Sequence, residues 1–210
     1  MSSSTDQRRT KRGWLAPAAI ASAAIAASLG VGTLGAYTAS ITNNNNTAGT
    51  GTLEMTETGV SSDNPNNAVA GVACKATSSD GTVNCTDINK YGANMNMKPG
   101  QSVKTTIKIQ NTGSTDASTF TLTPAQCQNI AGTGQTTAPD LCSVMNVQVL
   151  QDGTEVYNGT AAGFTGAKTL KTLASQQSSN FDFIVTLPAT ASNAVQGGSI
   201  KQDLTWTFEA

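Results

Sequence analysis

The segment Ile200-Lys201-Gln202-Asp203-Leu204-Thr205-Trp206-Thr207-Phe208-Glu209 decides the fold class. Ile200, Gln202, Leu204, Trp206 and Phe208 fall on one side of an extended chain, and Lys201, Asp203, Thr205, Thr207 and Glu209 on the other. Successive side chains of a strand point to opposite faces, so this alternation describes a strand with one face on a core and one in water. With the exception of Gln202 the inward set is apolar, and the outward set is polar throughout.

The same period recurs upstream. Val103, Thr105, Ile107 and Ile109 alternate with Lys104, Thr106, Lys108 and Gln110, between a Lys98-Pro99-Gly100 turn and an Asn111-Thr112-Gly113 turn. Phe120 with Leu122, then Met145, Val147 and Val149, and finally Phe181, Phe183, Val185 and Leu187 before Pro188, form further faces of this kind. Half-buried strands without helix-period segments between them belong to antiparallel sheets packed face to face. The expected fold is all-β: an antiparallel β-sandwich, jelly-roll-like, with one or two short helices in loops. One such helix is expected from Pro124 to Ile130, capped by Thr123 with Pro124 at its first position.

The start of the chain has a different character. Arg8, Arg9, Lys11 and Arg12 precede a run from Gly13 to Leu53 without a charged residue, apolar and Ala-rich from Trp14 to Leu34. A basic segment, an apolar segment and small residues make a secretory signal, assigned here to residues 1–36. Cleavage is placed around Gly35, Ala36 and Tyr37, where no clean A-x-A motif stands. Retention as an uncleaved anchor is the alternative, since the apolar part approaches the roughly 20 residues that span a bilayer. No apolar tail closes the chain, so no anchor is expected there.

Charge and cysteine content agree with export. The 210 residues carry 12 basic and 13 acidic side chains. Removal of residues 1–36 takes away four basic residues and Asp6, leaving 8 basic against 12 acidic, a net charge of -4. No basic stripe is left for nucleic acid, and membrane contact is expected only through the signal before cleavage. The four cysteines all follow the signal, which suits an oxidising compartment. They allow three pairings. Cys74 and Cys85 bracket the turn signal Ser78-Ser79-Asp80-Gly81, and Cys127 and Cys142 bracket a Gly/Thr/Pro loop, so these two local disulfides are expected. A four-cysteine zinc site would use C-x2-C pairs, and none is present.

Catalytic chemistry has little material. The sequence contains no histidine, which removes Ser-His-Asp and Cys-His nucleophile systems and H-E-x-x-H zinc peptidases. Two carboxylate pairs remain, Glu54 with Glu57 and Asp152 with Glu155, and both read better as solvated strand and turn residues. Neither a cofactor nor a metal is expected. Tyr91, Tyr157, Trp206 and the five phenylalanines fall mostly on inward registers, which favours a core over a carbohydrate platform.

Three stretches carry a family resemblance: residues 27–38 with 47–55, residues 97–114 with their Pro-Gly turn, strand and Asn-x-Gly turn, and residues 181–210 with the closing Thr205-Trp206-Thr207-Phe208-Glu209-Ala210. Together they resemble the TasA/camelysin family of secreted proteins processed by the SipW type of signal peptidase. The intervening segments, including all four cysteines, are not part of the resemblance. It implies a jelly-roll subunit of extracellular biofilm-matrix fibres whose mature N-terminus is donated as a strand to the next subunit. The residues permit this independently. Tyr37, Ala39 and Ile41 alternate with Thr38, Ser40 and Thr42, and the Asn- and Gly-rich residues 43–52 form a linker before the domain of residues 53–210. A tethered strand completes a neighbour's sheet, and repetition head to tail gives a fibre. The partners implied are other copies of the chain and, during export, the signal peptidase. The location implied is the extracellular matrix or cell surface, with no enzymatic activity. The alternative from another class is a monomeric secreted adhesin or binding module. The metalloprotease activity attached to camelysins lacks a histidine ligand here.

Overall fold

The computed structural model describes residues 50–77 and 83–210. The proposed signal and cleavage region (Gly35, Ala36, Tyr37), the donor strand (Tyr37, Ala39, Ile41) and the Ser78–Gly81 turn lie outside them.

Among the described residues eleven strands form: β1 Met55–Ser62, β2 Ala73–Ala76, β3 Ser102–Asn111, β4 Thr119–Pro124, β5 Gln128–Ile130, β6 Asn146–Gln151, β7 Thr154–Thr160, β8 Lys168–Thr169, β9 Ser178–Thr186, β10 Ser199–Lys201 and β11 Leu204–Glu209. One sheet has six strands in the order β2-β1-β3-β9-β6-β7. Facing it are a three-stranded sheet, β11-β4-β8, and a two-stranded ladder, β10-β5. All pairings are antiparallel. The fold is an all-β sandwich.

The inward registers read from the sequence hold. Ile107, Ile109, Phe181, Phe183, Val147 and Val149 on the large sheet meet Phe120 and Leu122 on the small one, and all of them are fully buried. Phe120 packs edge-on against Phe181 with ring centroids 5.8 Å apart, and Trp206 lies 4.6 Å from Phe181. Burial of each such side chain contributes roughly 1.5–3 kcal/mol relative to leaving it in water. Thr105, the polar member of its face, is also buried. Its hydroxyl lies 3.3 Å from that of Ser62, and the Asn67 amide donates to it at 3.4 Å.

Turn chemistry sets the strand ends. Gly100, with φ 87°, follows Pro99 in a turn closed by Gln101 N–H donating to the Lys98 carbonyl at 2.9 Å. Asp152 and Gly153, with φ 47° and 82°, form the two-residue loop between β6 and β7, where both central residues need positive φ.

The helix expected from Pro124 to Ile130 does not form. Pro124 ends β4 opposite Leu204, and Gln128–Ile130 is β5 opposite Ser199–Lys201. A seven-residue helix is too short to sustain itself, whereas the ladder to β10 and β11 satisfies the same backbone groups and the Cys127 link to Cys142 holds the bend. Among the described residues the helical content is one 3₁₀ turn, Asn193–Val195. The strands β2, β5, β8 and β10 have two to four residues each, too few for a period to register. Both local disulfides, Cys74–Cys85 and Cys127–Cys142, are present, each with its Cα atoms 6.0 Å apart. Two disulfides suit an extracellular location.

Candidate functional site

The two layers differ in width, and a site arises from that difference. Trp206 sits over β9, packed on Phe181 and Phe183, so β11 covers the middle of the large sheet. Beyond β11 the large sheet continues through β3, β1 and β2, while the small one has no further strand among the described residues. Between the inner face of β11, the face of β1 and the irregular segment 83–99 lies a groove of about 1470 Å³. Met55 and Glu57 line it from β1, Leu204, Trp206 and Phe208 from β11, and Ile88, Tyr91, Met95 and Met97 from the irregular segment.

The face that defined the fold in the sequence is therefore only partly covered. Leu204, Trp206 and Phe208 are half-buried, in contrast to the fully buried Phe120, Phe181 and Phe183. The edge of β11 is also open, since β4 is its one strand partner among the described residues. Antiparallel pairing makes backbone groups face the partner at every second residue. The Asp203 carbonyl accepts from Ala125 N–H at 2.8 Å, and on the far side of β4 the Phe120 carbonyl accepts from Leu170 N–H at 2.9 Å. This parity turns Thr205 and Thr207 toward β4 and the N–H and C=O of Leu204, Trp206 and Phe208 toward the open edge.

The irregular wall is held by specific contacts. Lys90 Nζ lies 2.6 Å from Glu57 Oε1, with side chains 9% and 7% exposed. The Asn67 side-chain amide donates to the Asn89 carbonyl at 2.9 Å, and that of Asn64 to the Gly92 carbonyl at 2.7 Å. The Cys74–Cys85 disulfide ties the wall to β2. Tyr91 crosses the end of the groove, where its hydroxyl donates to Gln202 Oε1 at 2.6 Å. Burial, followed by the nearby Tyr157, raises the Tyr91 hydroxyl pKa well above the ordinary tyrosine value. Gln202 in turn donates to the carbonyls of Ala125 and Phe164, both at 2.8 Å. The polar exception in the last strand's inward set is thus the residue that straps the wall to β10 and β11.

The carboxylate pairs do not assemble. Glu57 is not solvated as its sequence context suggested; it is buried against Lys90, while Glu54 pairs with Lys75 at 2.7 Å. Asp152 accepts from Ser179 Oγ and from Asn180 N–H, and Glu155 accepts from Gln148 and Asn158. Each acid has its own neutralising or donating partner, which is a structural arrangement. Among the described residues no three of His, Cys, Asp and Glu come together where they could hold a metal ion. Of the rings, four phenylalanines are fully buried and Tyr157 is stacked on Phe164 with Lys168 over its ring, whereas Tyr91, Trp206 and Phe208 are half-buried at the groove.

No family model and no curated protein matches the chain. One further orphan belongs to the groove: the indole N–H of Trp206 is buried and has no acceptor among the described residues. The sequence marked Trp206 as core. The half-covered face, the open edge and the wall were not readable from it, apart from the anomaly of Gln202.

Proposed function

We propose that the chain is a secreted, non-enzymatic structural subunit that builds extracellular fibres, each subunit accepting in its groove the N-terminal strand of the next. The observation that carries this reading is the open edge of β11 beside a half-covered apolar face. Strand addition supplies main-chain partners to Leu204, Trp206 and Phe208 and sends alternate side chains into the groove. A neighbouring strand lies about 4.8 Å away, which places it over β3, between β9 and β1, where the small sheet has no strand of its own among the described residues.

Several features support the same reading. Residues 37–42 alternate and are uncharged, which suits a groove whose two deep charges, Glu57 and Lys90, already neutralise each other. The strap at Gln202 leaves an edge of about six residues, Leu204–Glu209, similar in length to residues 37–42. The likeness of residues 27–38, 97–114 and 181–210 to the TasA/camelysin family points to the same jelly-roll, strand-donating subunit. A strand given to the next subunit rather than returned by it makes a head-to-tail contact, and such a contact propagates. Export through a signal at residues 1–36 places assembly outside the cell, where the two disulfides are stable.

Negative-stain electron microscopy and sedimentation of the secreted protein test the proposal. Fibres are expected from the intact secreted chain, and monomers after deletion of residues 37–42. A secreted chain that stays monomeric at high concentration supports the alternative, a monomeric binding module whose groove takes another ligand. Fibres that survive the deletion would rule out this donor strand.

A further inference from the structure

The groove gathers every methionine of the chain beyond Met1, which falls within the proposed signal. Met55 lines it from β1, Met95 and Met97 from the irregular wall, and Met145 from just ahead of β6. Their exposure is graded. Met145 is 8% exposed, Met55 and Met97 are half-buried, and Met95, at 70%, is the most exposed large hydrophobic side chain among the described residues. A methionine side chain is unbranched and polarisable, so it moulds to whatever packs on it and suits a wall that an incoming strand must cover. Its thioether is also the most readily oxidised group the groove presents, because the four cysteines are closed in disulfides.

Resting on the strand-donation reading, we infer that oxidation of Met95 and Met97 gates the groove: as thioethers they accept the incoming strand, and as sulfoxides they refuse it. The oxidant is hydrogen peroxide outside the cell. The sulfur lone pair attacks one peroxide oxygen and the O–O bond breaks; the sulfur, oxidised by two electrons, keeps that oxygen, and the other leaves as water. A sulfoxide is polar and a strong acceptor, and a strand laid over it takes it out of water. Of the inward residues Tyr37, Ala39 and Ile41, only Tyr37 carries a side-chain donor, at one end of the strand. Two sulfoxides are therefore covered without side-chain donors to match, which is unfavourable. The coupling also runs the other way, since a seated strand covers Met95 and Met97 and keeps them reduced. Peroxide thus stops addition at an empty groove and leaves the subunit contacts already made in place.

Dilute secreted chain, untreated or exposed to hydrogen peroxide for increasing times, is titrated with an N-acetylated peptide of residues 36–46 by isothermal calorimetry. Peptide mass spectrometry locates the sulfoxides at each time. Met95 and Met97 are expected to gain oxygen before Met145, and the affinity to fall about tenfold or more in step with them. The double variant Met95→Leu with Met97→Leu, of similar side-chain volume, should keep its affinity through the same treatment. Excess peptide added before the peroxide should slow oxidation at both positions. Unchanged affinity of chain carrying both sulfoxides, or an equal loss in the double variant, would overturn the gate while leaving strand donation in place. No binding to the untreated chain would overturn strand donation, and the gate with it. The time course on the unaltered protein decides the matter even if the double variant folds poorly, because an affinity that falls only once Met145 is oxidised would also refute the assignment to Met95 and Met97.

Discussion

Replacement of Lys90 by Met should destabilise the domain by about 3–5 kcal/mol, because it leaves the Glu57 carboxylate buried without its counter-ion. The magnitude follows from the geometry. The two charges are 2.6 Å apart, and their side chains are 9% and 7% exposed. At about 2–4 °C per kcal/mol for a domain of this size, the melting temperature should fall by roughly 6–20 °C. The double replacement Glu57→Met with Lys90→Met removes both charges at similar volume and should recover most or all of the loss, since well-packed apolar residues often match a buried ion pair. Urea unfolding followed by far-ultraviolet circular dichroism measures the global effect. Trp206 emission, read in parallel, reports on the groove that Lys90 helps to wall. A loss below about 1 kcal/mol for the single replacement, or a double variant no more stable than the single one, would show that water reaches the pair and that it does not anchor the wall.

Three further outcomes are expected. Phe181→Ala opens a cavity between the sheets where Phe120 and Trp206 now pack, and the urea midpoint should drop by the equivalent of about 3–5 kcal/mol; a loss under 1 kcal/mol would contradict the packing described. Reduction of the Cys127–Cys142 disulfide, or its replacement by two serines, releases a loop with a sequence separation of 15 and should cost about 3 kcal/mol, read as a fall in melting temperature with and without reductant. The raised Tyr91 pKa means that the folded chain keeps this proton where the unfolded chain loses it, so stability should decrease as pH climbs above about 10, by at most about 1.4 kcal/mol per pH unit. Tyr91→Phe should flatten that slope, and an unchanged slope in the variant would assign it to other groups.

Much of the sandwich was legible because a strand's faces are written locally. Val103 to Ile109 and Phe181 to Leu187 reveal their buried side through period 2 alone, and Pro99-Gly100 and Asp152-Gly153 announce turns that only a few residues tolerate. The segment from Pro124 to Ile130 was misread for the opposite reason. Its Pro, Ala and Gln suit a helix start, but a partner some 70 residues away in sequence, β10 with β11, decides its conformation. Glu57 shows the same limit, because its neighbours in sequence mark a solvated strand while the ammonium that buries it arrives from residue 90.

The order of inward and outward residues, the turn positions and the four cysteines in local pairs were determined by the sequence by itself, since each depends on neighbours within about fifteen residues. What lies against the inward face of Leu204, Trp206 and Phe208 was decided only by the tertiary structure. Alternation marks a face as apolar, but whether a second sheet, a loop or a groove covers it depends on how many strands each layer holds. Among the described residues the small sheet ends at β11 while the six-stranded sheet runs on, and that difference converts a core strand into an open edge.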